Sequence, residues 1–118
     1  EAQATFTRKI RKEDGKANWE LTAENLARRA RAFTPWPSLF SSWEGKIIKL
    51  VKVHAIQREN SGKVGTVIDW DEAEFPVGIV TGKGVLVVEK LQLEGKLSMS
   101  PREFVRGHKD FLGSVLQG

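Results

Sequence analysis

Two hydrophobic rhythms divide this chain. Ala23, Leu26, Ala27, Ala30 and Phe33 repeat at the three-to-four-residue spacing of a helix with one buried stripe. Thr22 stands where a side-chain oxygen caps a first turn, and Pro35 disfavours helical backbone at Thr34, which sets the two ends of the predicted helix. Arg28 and Arg31 fall on the side away from the stripe, and Glu24 lies one turn before Arg28, placed to pair with it. From Leu39 onward the period shortens. "KIIKLVKVHAI", "GTVIDW", "PVGIVTG" and "GVLVVEKLQL" carry alternating or β-branched apolar residues with glycines between them. Five strands at short intervals predict a small closed barrel or a sandwich. "SPRE" at 100–103 has the form of a capping box with Pro101 at the first helical position, and it opens a short helix that Gly107 ends.

Residues 1–16 follow neither rhythm. They are polar and basic, with Arg8, Lys9, Arg11 and Lys12 in "RKIRKEDGK", and read as a linker or arm leading into a domain over residues 17–118. The 118 residues suffice for one hydrophobic core. The only methionine is Met99 and the chain starts at Glu1, which leads us to expect a piece of a longer protein. A net charge of +4 suits a polyanionic partner such as nucleic acid, or an anionic membrane surface, but it also suits simple solubility. No apolar run has the length of a membrane span. With no cysteine, disulfide frameworks, thiolate metal sites and cysteine nucleophiles are excluded.

Candidate chemistry is sparse. "GIVTGKG" resembles a phosphate-cradling loop but is one residue short between Gly78 and Gly82, lacks Ser or Thr after Lys83, and precedes no helical pattern. It reads as a hairpin turn. "DWDEAE" lacks the order of a calcium loop and its central glycine, so Asp69, Asp71, Glu72 and Glu74 read as a solvated loop. His54 and His108 have no nucleophile or carboxylate at a suggestive spacing and read as structural or exposed. We therefore expect no catalytic residue and no metal site. The basic residues remain, as either a solvated face or a binding face.

"ARRARAFTPWPSLF" resembles the "RxxRAFNPWP" signature of the C-terminal domain of the methionyl-tRNA formyltransferase family. Upstream, "RKIRKEDGKANW" is similar to the basic "KLxKEEARIDW" that leads into that domain. Downstream, "GKGVLVVEKLQLEGKLSMSPREFVRG" is similar to its closing "GDGxLxLxxLQxxGKxxMSxxEFLRG". The three motifs stand in the family's order and cover most of the chain. Thr34 and Asn18 replace the usual Asn and Asp, and "DWDEAEFPVGIV" departs from the pattern, which leaves local turn hydrogen bonds and that loop's length and pairing open.

The resemblance implies a mainly β fold, an oligonucleotide-binding-like barrel of five to six strands with an N-terminal helix and a short C-terminal helix. It implies an enzyme that moves a formyl group from 10-formyltetrahydrofolate to the amino group of initiator methionyl-tRNA. The chemistry would belong to a separate N-terminal catalytic domain, and the present domain would hold the tRNA against it. No cofactor is expected in the fragment itself. The implied tRNA-binding residues are Lys9, Arg11, Lys12, Arg28 and Arg31, whereas Arg29 matches nothing in the signature. Phe33, Pro35, Trp36 and Pro37 would form a rigid corner between helix and barrel, with Trp36 and Phe40 packed in the seam or, alternatively, Trp36 stacked on a base. The expected partners are initiator methionyl-tRNA and the protein's own catalytic domain, with no membrane. The expected setting is the bacterial cytoplasm or an organellar matrix. Two other readings stay open: a related folate-dependent formyltransferase or hydrolase with a small-molecule substrate, and a stand-alone single-strand-binding barrel.

Overall fold

The computed structural model describes residues 15–32, 38–58, 62–70 and 75–116. In chain order the elements are α1 (Ala23–Ala32), β1 (Leu39–Trp43), β2 (Lys46–Ile56), β3 (Val67–Asp69), β4 (Val77–Val80), β5 (Val85–Leu93), α2 (Pro101–Gly107) and a 3₁₀ turn (Lys109–Phe111). The mainly β expectation holds, with the five strands forming one antiparallel sheet in the order β1-β2-β5-β4-β3. Glu44 and Gly45 join β1 to β2 with φ of 52° and 79°, the two positive angles that match a tight turn to the twist of its strands.

The sheet curls into a half-barrel whose edges are sealed by the flanks of the chain. On β1, the Phe40 carbonyl accepts from the Ala17 N–H at 2.7 Å. On β3, Val67 donates to Ser114 at 2.8 Å and accepts from Gly113 at 2.7 Å, and Leu116 donates to Gly65 at 2.9 Å. These bonds occupy backbone groups that an open edge would leave free to pair with another chain. Trp19 lies buried between the two flanks, its Nε1–H donating to Ser41 Oγ at 3.2 Å. A Cβ on Gly65 would come within 3.2 Å of the Trp19 ring and 2.9 Å of the Leu116 carbonyl, so the indole fits only over a bare backbone.

The buried stripe of α1 (Ala23, Leu26, Ala27 and Ala30) faces the core, as its spacing predicts. Thr22 Oγ1 accepts from the Asn25 N–H at 3.0 Å and caps the first turn. The Ala23 N–H, unpaired within its own helix, donates to Lys83 at the tip of the β4–β5 hairpin at 2.9 Å. "GIVTGKG" is therefore a hairpin, closed by Thr81 Oγ1 donating to the carbonyls of Lys83 and Gly84. Its Gly82 cannot carry a side chain, because a Cβ there would lie 2.0 Å from the Glu20 carbonyl oxygen.

At the other end of the sequence, Ser100 caps α2 by accepting from the Glu103 N–H at 3.2 Å, and its hydroxyl faces Glu103 Oε1 at 3.3 Å. Phe104 and Phe111 then pack edge-to-face on Trp43, with ring centroids 5.6 and 5.2 Å away. A second, smaller cluster of Trp70, Val85 and Val87 packs with Ile56, Ile68 and Phe75 on the opposite face of β5. The Arg58 guanidinium sits 5.0 Å over its Trp70 ring.

Candidate nucleic-acid interface

The two central strands cannot keep strict alternation and also bury the right residues. On β2 the core takes Ile48 and Leu50, then Val53; on β5 it takes Leu86 and Val88, then Leu91 and Leu93. Both sets change parity in mid-strand. The pairing absorbs this with two offset bulges: between Leu50↔Leu91 and Lys52↔Lys90 the extra residue is Val51, and between Lys52↔Lys90 and Val53↔Val88 it is Glu89. Register is restored on either side, and the ladder is locally opened at Val51, Lys52, Glu89 and Lys90.

Helix α1 lies along this defect. Its first turn reaches the end of β2, where Glu24 Oε2 accepts from Gln57 Nε2 at 3.3 Å. Its last turn meets the bulges, and Ala30, Arg31, Val51, Lys52, Val53, His54, Glu89 and Lys90 line one open groove of about 660 Å³. Arg31, Lys52 and Lys90 are exposed cations from three different elements. Within the groove His54 Nδ1–H donates to Glu89 Oε2 at 2.7 Å, while Lys52 Nζ lies 3.9 Å from Glu89 Oε1. The Glu89 side chain is 18% exposed, and every other described carboxylate is on the surface.

Arg28 and Arg31 are both exposed, as their spacing predicts, and Arg31 also borders the groove. The expected pairing of Glu24 with Arg28 does not form, because Glu24 turns to Gln57 instead. Arg29 is exposed too, its Nε–H donating to Asn25 Oδ1 at 2.9 Å. Lys9, Arg11 and Lys12, and the corner residues Phe33, Pro35, Trp36 and Pro37, lie outside the described residues, as do Asp71, Glu72 and Glu74. Phe40, expected in the seam, is half-buried on β1 opposite Lys49.

His54, read as structural or exposed because no carboxylate stands at a suggestive spacing, is half-buried and has a carboxylate partner that spacing does not show. Glu89 is 35 residues away in sequence and reaches it only because the two strands pair and the bulge displaces the glutamate. His108, by contrast, is structural as expected. Its ring stacks on Phe104 at 4.3 Å, and its Nδ1–H donates to the Phe104 carbonyl at 3.1 Å. Beside it Glu44 is held above the ordinary carboxylate pKa, first by a hydrogen bond with Asp110, then by desolvation and the Asp110 charge, with His108 and Lys46 pulling the other way.

Among the described residues no group of three His, Cys, Asp or Glu side chains is placed to hold a metal ion. Nor is any described helix long and apolar enough to cross a membrane.

Comparison with known proteins converges on one family. The family model for the formyl transferase C-terminal domain matches residues 9–109. Methionyl-tRNA formyltransferase of Rickettsia bellii is 34% identical over 105 residues, covering 89% of this chain and 33% of that protein. The Coxiella burnetii protein of the same name is 33% identical over 112 residues, covering 95% of this chain and 35% of its own length. The chain thus spans about a third of these relatives. Among solved structures, a HypX variant from Aquifex aeolicus superposes with a TM-score of 0.67 at 19% identity, over 90% of this chain and 19% of HypX. HypX in complex with tetrahydrofolic acid gives 0.61 at 20% identity, over 91% of this chain and 18% of that one. At that identity the likeness to HypX concerns the fold.

Proposed function

Because the chain belongs to the formyl transferase C-terminal domain family, we propose that it is the tRNA-holding domain of a methionyl-tRNA formyltransferase. The names of the relatives supply the substrate, and the observation that carries the reading is the basic face. Arg31 on α1 lines the groove with Lys52 and Lys90, so that one helix and two strands bring cations together there, and Arg28 is exposed one turn earlier on the same helix. Such a face gives affinity for a phosphate backbone without reading sequence. In this reading the remainder of the protein binds 10-formyltetrahydrofolate and transfers its formyl group to the amino group of initiator methionyl-tRNA. The present chain aims the acceptor end and takes no chemical step, in a bacterial cytoplasm or an organellar matrix.

The test is a salt series of tRNA binding to Lys9→Ala, Lys12→Ala, Arg28→Ala and Arg31→Ala, with initiator and elongator tRNA in parallel. Each lost phosphate contact should weaken both tRNAs alike and lower the slope of log K against log salt by about 0.7 to 0.9. Arg31→Ala should cost more than Arg28→Ala, since Arg31 also lines the groove. Unchanged affinity in all four variants would return the basic face to mere solvation and favour a small-molecule relative. A loss confined to initiator tRNA would make these residues readers of identity.

A further inference from the structure

We propose that the groove between α1, β2 and β5 seats one phosphodiester group of the RNA, and that the Glu89 carboxylate, held by His54, acts as a built-in brake on its affinity. The inference rests on the RNA-binding reading above and deepens it.

The groove's charge is unusual for a phosphate seat. Three exposed cations (Arg31, Lys52 and Lys90) converge on a floor that also holds a carboxylate with only 18% of its side chain exposed. An unpartnered carboxylate there would repel a phosphate at close range and compete for Lys52, to which it is already 3.9 Å away. The bulge explains its presence, because the parity change that sends Leu91 and Leu93 inward leaves Glu89 as the surplus residue on β5. His54 then fixes where that charge points. Its Nδ1–H binds Oε2 at 2.7 Å, while its ring packs edge-to-face on Phe75 at 5.9 Å. Orientation by packing on one side and by a charge-assisted hydrogen bond on the other ties Oε2 to the imidazole, which leaves only Oε1 to Lys52, in a loose ion pair at 3.9 Å with a side chain that is 72% exposed. His54 is thus a positioning residue, and Glu89 lowers affinity without abolishing it.

The sign of the effect separates this assignment from a generic basic surface. In the 118-residue chain, Glu89→Gln should tighten binding to a tRNA transcript about two- to fivefold at low salt, the range of a partly exposed charge interaction. Lys90→Ala and Lys52→Ala should weaken it. His54→Ala frees Oε2, so that Glu89 can turn both oxygens on Lys52 and tighten the loose pair it already makes there. It should weaken binding in the wild-type background but not in Glu89→Gln, a coupling that a purely structural histidine would not show. In the unmutated chain, RNA titration should shift the backbone amide resonances of Val51, Lys52, Glu89 and Lys90, an observation that needs no variant to fold. Suppose Arg28→Ala weakens binding while Glu89→Gln and Lys90→Ala leave it unchanged and those amides stay still. Then the groove is not a seat, and the reading of α1 stands. If no variant, Arg28→Ala included, changes RNA binding, both the reading and the seat are overturned.

Discussion

His108 and His54 are both half-buried and both donate through Nδ1, yet one gives its hydrogen to the Phe104 carbonyl four residues back and the other to a carboxylate 35 residues away. His108 sits in an aromatic cluster with Trp43, Phe104 and Phe111, where its ring adds apolar area and a stacking partner. His54 sits in a groove of cations, where its contact fixes the direction of a charge. The same side chain is an element of the core in one place and an element of an electrostatic surface in the other. The difference teaches what each region can lose: the first should register in stability, and the second in binding.

The sharpest way to break that comparison is to empty the aromatic side. Trp43 is buried and meets Phe104, His108 and Phe111 edge-on, so Trp43→Ala removes the ring around which α2 and the 3₁₀ turn pack. Urea unfolding should show a loss of about 3–5 kcal/mol. RNA affinity per folded molecule should be unaltered, because the groove shares no residue with this cluster. A loss of affinity matching the loss of stability would mean the two regions are one cooperative unit.

Replacing the histidines themselves sharpens the contrast. His108→Ala gives up a stacked ring and a hydrogen bond and should cost about 1–2 kcal/mol with no effect on RNA binding. His54→Ala should cost under about 1 kcal/mol, since its bond lies at the solvent boundary. Chemical denaturation of the two variants side by side decides it, and equal losses would erase the distinction.

What could be read beforehand follows the same divide. The helix with its Thr22 cap, the "SPRE" helix start, the hairpin at "GIVTGKG" and the strand segments all rest on residues within a few positions of one another. Local chemistry decides such features, and they were legible. The groove is not local. It depends on two strands slipping by one residue each, and the signal for that slip is in the sequence only as a misfit. The core positions Leu86 and Val88 cannot share a face with Leu91 and Leu93 under strict alternation. A reader who insisted on alternation would have found the bulge, and with it the reason a glutamate stands in mid-strand. The Glu24–Arg28 pair failed for a related reason. Helical spacing places the two side by side, but Gln57 at the end of β2 offers Glu24 a partner that no reading of α1 alone contains.

The smallest expected effect concerns Glu44 and Asp110, next to His108. Glu44 is fully exposed, yet its carboxyl is held above its ordinary value of 4.5, chiefly because Asp110 shares a hydrogen bond with it and then repels its charge. The folded state therefore binds this proton more tightly than the unfolded chain does. Its contribution to stability is fully present below the unfolded value and is lost as pH rises through the raised folded value. Once ionised, the Glu44 carboxylate is a slight liability beside Asp110, only partly offset by Lys46 and His108. Glu44→Gln keeps the side-chain length at a position with a φ of 52°, so the turn itself should be indifferent to the exchange. The variant should melt slightly above the parent at neutral pH, and the gap should close as the pH falls toward 4.5. In an Asp110→Asn background the gain should vanish or turn into a slight loss, because the partner that raises the pKa is gone while Lys46 and His108 still favour the charged carboxylate. Thermal melts of the four proteins across that range would show it, and a gap that widened toward acid would reverse the sign of the interaction and place Glu44 in a stabilising pair instead.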